Sequence, residues 1–269
     1  MSIALIAGDG DLPVEIARRL SLQGESLRIY ALRERPDALK PYSDMVLNLL
    51  TTELEFAVRD MKMNGVKKIM MAGVVPKTLI YRPGVLDKMA QSLVAGLDER
   101  DDHSVLGAVV AFLTGLGFEV LSYRSLLLDL MAKEGHFAGR QPTPEEQKDV
   151  EYGVRIAQKL VPLSFGQTVV VHQKSVVAVE AMEGTDATLL RAGSLCKKGV
   201  VVKLMRSDQD ERYDIPTVGP QTLRFMGKTG LSCLALHAGW TLIINPEEFH
   251  RVAAEENISV VGVDSCRSS

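Results

Sequence analysis

The chain has 269 residues, of which 46% are hydrophobic and 24% charged, and its formal net charge is −3. These values are ordinary for a globular protein and allow one large domain or two of average size. The small negative charge excludes a global basic field that would attract nucleic acid. The sequence contains no run of about 18 apolar residues, so no membrane span is predicted.

The N-terminal half alternates short apolar strands with helices. The predicted strands are "SIALIAG", "LRIYAL", "KKIMMAG" and "FEVLSY", and the predicted helices are "PVEIARRLSLQG", "TELEFAVRDMKMNG" and "DHSVLGAVVAFLTGLG". Pro13 suits a first helical turn, Gly24 suits a helix end, and Thr52 is a candidate cap. Buried strands that alternate with helices predict an α/β domain with a parallel sheet.

Residues 134–148 are rich in glycine, proline and charge, which predicts a linker between two domains, 1–133 and 149–269. Beyond it, "QTVVVHQKSVVAVEAMEG" predicts a strand pair around a turn, and "TDATLLRAGSL" a helix. Strands at "GVVVKLM", "LSCLALHAG", "TLIIN" and "ISVVGVD" and helices at "GPQTLRFMGKTG" and "PEEFHRVAAEEN" complete a second α/β domain.

Glycines follow two of the predicted strands in the first half. Gly8 and Gly10 lie in "AGDGDLP" and Gly73 lies in "AGV", where the carboxyl ends of parallel strands collect ligands and backbone N–H groups can hold a phosphate. A dinucleotide fingerprint would need a third glycine where Pro13 stands, which disfavours a nicotinamide-dependent oxidoreductase. The alternative is structural: a tight turn at Gly8 and Gly10, and a helix-packing glycine at Gly73.

Three acids surround the end of a predicted strand in "VEAMEGTDATLLR". Glu180, Glu183 and Asp186 carry the carboxylate oxygens that Mg²⁺ prefers. Helix capping is the alternative, with Thr185 as the N-cap and Asp186 in the first turn. Capping does not account for Glu180.

The densest charge lies in and just before "QDERYDIPTVGPQT", which spans Gln209 to Thr222. Phosphoryl chemistry needs cations, which Lys203 and Arg212 supply, and carboxylates to orient water or a metal ion. The carboxylate candidates are Asp208, Asp210 and Asp214. The alternative is a solvated loop.

These motifs together resemble one protein family. "ALIAGDGDLP", "EAMEGTDATLLR" and "QDERYDIPTVGPQT" followed by "AGW" are similar to the LpxI family, the UDP-2,3-diacylglucosamine pyrophosphatases of lipid A biosynthesis. The resemblance covers nearly the whole chain and includes the ending "ISVVGVD". Two departures are Asp9, where members often have glycine, and Ser207-Asp208, where many have Lys-Pro.

The resemblance implies a Rossmann-like N-terminal domain, a C-terminal α/β catalytic domain and Mg²⁺-dependent hydrolysis to UMP and 2,3-diacylglucosamine 1-phosphate. It implies that Asp214 is the essential acid. Arg212 and Lys203 are then the expected charge stabilisers. The expected metal ligands are Asp214, Asp210, Glu183 and Asp186. The residues expected to bind the substrate are Gly8, Gly10, Gly73, Thr185 and Thr217.

The alternative function is a non-catalytic nucleotide-sugar-binding or regulatory protein on the same scaffold. The three cysteines have no C-x-x-C spacing and are expected to be reduced thiols. With no signal peptide recognised, a cytoplasmic protein in transient contact with the inner membrane is expected. The sequence leaves open a homodimer, the metal ligands, and the acyl-chain preference and pocket.

Overall fold

The structure is a computed structural model that describes residues 2–32, 36–49, 53–75, 86–97, 102–163, 166–206 and 209–264. It divides into two compact units. Unit 1 comprises Met1–Leu126 and Asp210–Asp214, and unit 2 comprises Leu127–Gln209 and Ile215–Ser269. The chain therefore leaves unit 2 after Gln209, adds five residues to unit 1, and returns.

Unit 1 is built on a parallel sheet with the strand order β3-β2-β1-β4-β5. Its strands are β1 (Ser2–Ala7), β2 (Ser26–Ala31), β3 (Val46–Asn48), β4 (Lys68–Ala72) and β5 (Glu119–Val120). Its helices are α1 (Leu12–Leu22), α2 (Leu54–Met63), α3 (Lys88–Ala95) and α4 (Asp102–Gly115), with a 3₁₀ helix at Pro36–Tyr42.

The parallel sheet predicted for the N-terminal half is confirmed. Helices α2 and α4 bury apolar side chains such as Val58 and Leu113 against Ala4, Tyr30 and Ile69 of the sheet. Helix α1 begins with Pro13 in its first turn, as expected, and contacts β1 and β2. The candidate cap Thr52 lies outside the described residues.

Unit 2 contains a mixed sheet with the order β6-β13-β11-β9-β7-β8 and a separate pair, β10-β12. The strands are β6 (Gly135–Gly139), β7 (Thr168–His172), β8 (Ser175–Val179), β9 (Val200–Lys203), β10 (Thr217–Val218), β11 (Cys233–His237), β12 (Leu242–Ile243) and β13 (Ser259–Val263). The helices are α5 (Pro144–Leu160), α6 (Gly184–Leu195), α7 (Pro220–Thr229) and α8 (Pro246–Glu255), with a 3₁₀ helix at Val161–Leu163. The 3₁₀ helix Arg124–Leu130 begins in unit 1 and ends in unit 2.

The six-stranded sheet has an apolar core on each face. One core joins it to α6, α7 and α8 through residues such as Leu189, Leu223 and Phe249. The other joins it to α5 through Val150 and Ala157. The C-terminal α/β domain is therefore confirmed, and none of the helices within the described ranges is long and apolar enough to cross a bilayer.

The segment predicted as a linker, 134–148, has regular structure. Gly135–Gly139 forms β6, which pairs antiparallel with β13. A Cβ atom on Gly139 would lie 1.8 Å from the carbonyl oxygen of Ile258, so this glycine serves strand packing. Thr143 and Glu146 form a capping box at the start of α5. The chain changes unit earlier, between Leu126 and Leu127.

Two of the three cysteines fall within the described ranges. Cys196 and Cys233 are free thiols, as expected. Burial raises the pKa of Cys233 to about 12, which is typical of an unreactive packing residue. Cys266 lies outside those ranges.

Candidate active site

Two glycine turns meet at the carboxyl edge of the unit 1 sheet. The Gly8 N–H donates to the Ala72 carbonyl (2.8 Å), and Asp9 and Val74 exchange backbone hydrogen bonds of 2.8 and 2.9 Å. A Cβ atom on Gly8 would lie 2.6 Å from the Val74 oxygen. One on Gly73, where φ is +91°, would lie 2.6 Å from Pro13 Cγ. Close packing of the two turns therefore accounts for both glycines.

Gly10 differs from the other two glycines. Its φ is +97°, a conformation that favours glycine, and among the described residues no atom other than those of Gly10 and its two chain neighbours lies within 4 Å of the position of a Cβ atom. The turn that leads into α1 is therefore open at this point. Of the three glycines predicted to bind substrate, Gly10 is the one beside which a ligand has room.

The five residues Asp210–Asp214, named here the acidic loop, are tied to unit 1. Tyr213 is 8% exposed and belongs to the core that contains Val110 and Leu113. The Ser122 hydroxyl donates to the carbonyl of Glu211 (3.0 Å), and Arg124 lies 3.6 Å from the Glu211 carboxylate. These contacts hold the loop on unit 1, whereas a solvated loop, the alternative interpretation of this stretch, would lack them.

The acidic loop lies at the same sheet edge as the glycine turns. Ser122, which binds the loop, follows the carboxyl end of β5, and Gly8 and Gly73 follow those of β1 and β4. In open parallel sheets this edge is where ligands bind, and the strand order reverses between β1 and β4. Unit 1 thus carries the acidic loop, with Arg212 and Asp214, at the edge where open parallel sheets commonly bind ligands.

Within the loop, Asp210 and Arg212 form a close ion pair. Arg212 Nε lies 2.9 and 3.0 Å from the two Asp210 oxygens, and a second guanidinium nitrogen lies 2.5 Å from one of them. This hydrogen bonding raises the pKa of Arg212. The Asp214 N–H donates to the Asp210 carbonyl (3.0 Å), and Asp214 is partly buried. Asp208 lies outside the described residues.

Unit 2 has its own polar sheet edge. Strands β8 and β9 are both antiparallel to β7, and β9 and β11 are parallel, so all three carboxyl ends share one edge. Glu180 follows β8, and Lys203 ends β9. The Thr185 hydroxyl donates to Glu180 (2.8 Å) and accepts from Lys203 Nζ (3.2 Å). Both ionisable side chains are buried.

The alternative interpretation, in which Thr185 is the N-cap of its helix, is wrong. Helix α6 begins at Gly184, its N-cap is Glu183, and Thr185 lies within the first turn. The hydroxyl is used by Glu180 and Lys203 instead of the helix backbone. Asp186 lies in the first turn, as expected.

The remaining predicted residues of unit 2 have local partners. Glu183 accepts hydrogen bonds from Arg191 (2.7 Å) and Thr188 (3.3 Å). Its pKa is lowered, first by its own backbone N–H and then by Arg191. The Thr217 hydroxyl donates to the Ile215 carbonyl (3.0 Å) at the start of β10.

The predicted metal ligands do not form a ready-made cage. No three or more His, Cys, Asp or Glu side chains within the described ranges are grouped as a metal site. Asp210 and Glu183 are each bound to an arginine. Mg²⁺ commonly binds to one or two carboxylates together with substrate phosphates. A single carboxylate such as Asp214 is therefore enough as the protein's ligand to the ion.

The fold and these edges define a two-unit α/β protein with paired carboxylate and cationic groups at its sheet edges. Residues 2–130 match the LpxI N-terminal domain, and residues 133–261 match the LpxI C-terminal domain. The chain belongs to the LpxI family. It is 28% identical over 275 residues, 97% of each chain, to the UDP-2,3-diacylglucosamine pyrophosphatase LpxI of Caulobacter vibrioides.

Proposed function

We propose that the chain hydrolyses UDP-2,3-diacylglucosamine to UMP and 2,3-diacylglucosamine 1-phosphate in lipid A biosynthesis. The observation that carries this proposal is the match of both LpxI domains, with a relative of that name aligned over 97% of the chain. The anchored acidic loop at the ligand-binding edge of unit 1 supports it. Arg212 and Asp214 are residue types that phosphoryl chemistry uses.

The proposed step is attack of water on the phosphorus next to uridine. A bond forms from the water oxygen to that phosphorus, and its bond to the bridging oxygen breaks. The bridging oxygen leaves with its electron pair on the lipid phosphate. Asp214 orients the water and accepts its proton, while Arg212 stabilises the charge on the phosphate oxygens. We assign the same charge-stabilising role to Lys203.

We propose a divalent cation, normally Mg²⁺, as the cofactor. When bound, it neutralises phosphate oxygens and lowers the pKa of a water ligand. Asp214 is the ligand that we assign from the protein, together with oxygens of the substrate. Asp210 and Glu183 could join it only by giving up their arginine partners.

Incubation of the purified protein with UDP-2,3-diacylglucosamine and Mg²⁺, with products resolved by mass, tests the reaction. Equal amounts of UMP and lipid monophosphate are expected. In H₂¹⁸O the label should enter UMP, since the proposed attack is at the phosphorus next to uridine. Binding without UMP release would identify a nucleotide-sugar-binding protein and refute the enzyme, and label in the lipid phosphate would refute the direction of attack.

We further propose a transient contact with the inner membrane, from its cytoplasmic side, because a substrate with two acyl chains resides in a lipid layer. Sedimentation with lipid vesicles should recover a larger fraction of the protein when the vesicles contain the substrate. Equal recovery with and without substrate would contradict this contact.

A further inference from the structure

A buried polar row crosses three strands of unit 2. Thr168 on β7 is the direct partner of Lys203 on β9, and the Glu180 N–H donates to the Thr168 carbonyl (2.9 Å) from the other side. Directly opposite residues of antiparallel strands lie on the same face of a sheet. Glu180, Thr168 and Lys203 therefore lie side by side, under Thr185 of α6, which bonds to the two outer members.

The three residues of the row are largely buried. Glu180 is 8% exposed, Lys203 6% and Thr168 1%. Buried ionisable groups are costly unless they are paired and hydrogen-bonded. The Thr185 hydroxyl satisfies one oxygen of Glu180 and one of the three donors of Lys203, so it couples the two charges.

Two polar atoms of the row lack the hydrogen bonds that a purely structural network would provide. Glu180 Oε2 and Thr168 Oγ1 are buried without a hydrogen-bond partner among the described atoms. Each such atom has lost its hydrogen bonds to water without replacement, which costs folding free energy. A network that served only to fix α6 on the sheet would gain stability from apolar residues in these places, and this cost points to function.

We propose that Glu180 is a positioning residue that acts through Thr185 to hold the Lys203 ammonium ready for a phosphate. The proposal rests on the function proposed above and deepens it. A lysine side chain has a flexible four-carbon stem, so its charge needs a fixed direction to act on a transition state. Thr185 takes one N–H of Lys203 and leaves its other donors for phosphate oxygens. Glu180 orients the Thr185 hydroxyl and does not touch the substrate.

Kinetics of matched variants test this arrangement. Thr185→Val and Glu180→Gln should each lower kcat for UMP release about tenfold to hundredfold with little change in KM, because the charge matters most in the transition state. Thr185→Ser should recover most of the activity that Thr185→Val loses. The kcat of the double variant should be no lower than that of the less active single variant, because both substitutions break the same chain of hydrogen bonds from Glu180 to Lys203.

Thr188→Val is the matched structural control. Thr188 is a buried threonine of the same helix whose hydroxyl lies 2.9 Å from the Gly184 carbonyl and 3.3 Å from the Glu183 carboxylate, and it contacts neither Glu180 nor Lys203 through any hydrogen bond among the described residues. Its replacement should lower the unfolding temperature and leave kcat unchanged. Thr185→Val with normal kcat, or with a loss that Thr188→Val reproduces, would overturn the proposal.

A second readout does not depend on turnover. NMR of protein with ¹⁵N-labelled lysine should show a slowly exchanging ammonium signal that disappears in Lys203→Met, which assigns it. The signal should persist in Thr185→Ser and be lost in Thr185→Val and Glu180→Gln. An unchanged signal in those two would overturn the positioning role. A wild-type protein that releases no UMP would refute the proposed function, and the NMR signal would still decide whether Glu180 positions Lys203.

Discussion

Tyr213→Ala should release the acidic loop while the sheet of unit 1 remains folded. A buried aromatic side chain contributes about 3–5 kcal/mol. The Ser122 hydrogen bond adds about 1 kcal/mol, and the partly exposed pair of Arg124 and Glu211 adds about 1 kcal/mol at most. Ordering five loop residues costs about 1–2 kcal/mol each. Without the Tyr213 ring, the contacts of Ser122 and Arg124 are too weak to offset that cost.

Cleavage by trypsin reports whether the loop is released, and kinetics report whether activity is lost. Trypsin should cleave after Arg212 in Tyr213→Ala and spare this bond in the wild type, as read by mass spectrometry. UMP release should fall by roughly 10² or more, since misplacement of about 1 Å has that effect. Tyr213→Phe keeps the ring in the core and should resist cleavage at Arg212 far better than Tyr213→Ala. Resistance to trypsin at Arg212 together with normal turnover in Tyr213→Ala would refute the anchoring argument.

Three further predictions concern the cofactor, the packing and the pH dependence. Chelation by EDTA should abolish UMP release and added Mg²⁺ should restore it; full activity in EDTA would contradict the cation. Gly8→Ala should lower the unfolding temperature, because its Cβ atom would lie 2.6 Å from a backbone oxygen, whereas Gly115→Ala has open space and should not. Burial raises the pKa of Glu146, but hydrogen bonds from Arg140 and Ser232 bring it below the usual 4.5. The stability from this low pKa is present above pH 4.5 and lost as the pH falls through the lower folded value, so urea unfolding of Glu146→Gln should depend less on acid pH than that of the wild type.

The sequence predicted the elements whose signals are local. Strands β1, β2 and β4 are continuous apolar runs, and β7 and β8 flank the turn at Gln173 and Lys174, where both φ values are positive. The sequence predicts a linker at strand β6 because its glycines signal a break. Its pairing with β13 depends on residues more than a hundred positions away, which no local pattern records.

The candidate site shows the same limit. The charges of "QDERYDIPTVGPQT" are visible in the sequence, whereas the turn in this stretch lies at residues 211–213. That Tyr213 places the loop in unit 1 was missed, although an aromatic residue among acids was the available signal. Thr168 was also missed, because a threonine in an apolar strand is ordinary. The sequence offers a cap as the structural alternative for Thr185, because its actual partners Glu180 and Lys203 come from other elements.

The most direct test of the central claim is UMP release by Asp214→Asn beside Asp186→Asn. Asp214→Asn keeps the shape of the side chain and removes its charge, and Asp186 is an exposed acid in the first turn of α6. If Asp214 is the acid of the acidic loop, its variant should lose roughly 10²-fold or more in kcat and still bind UDP-2,3-diacylglucosamine. Asp186→Asn should lose much less. Folded Asp214→Asn protein with near-normal UMP release would contradict the account.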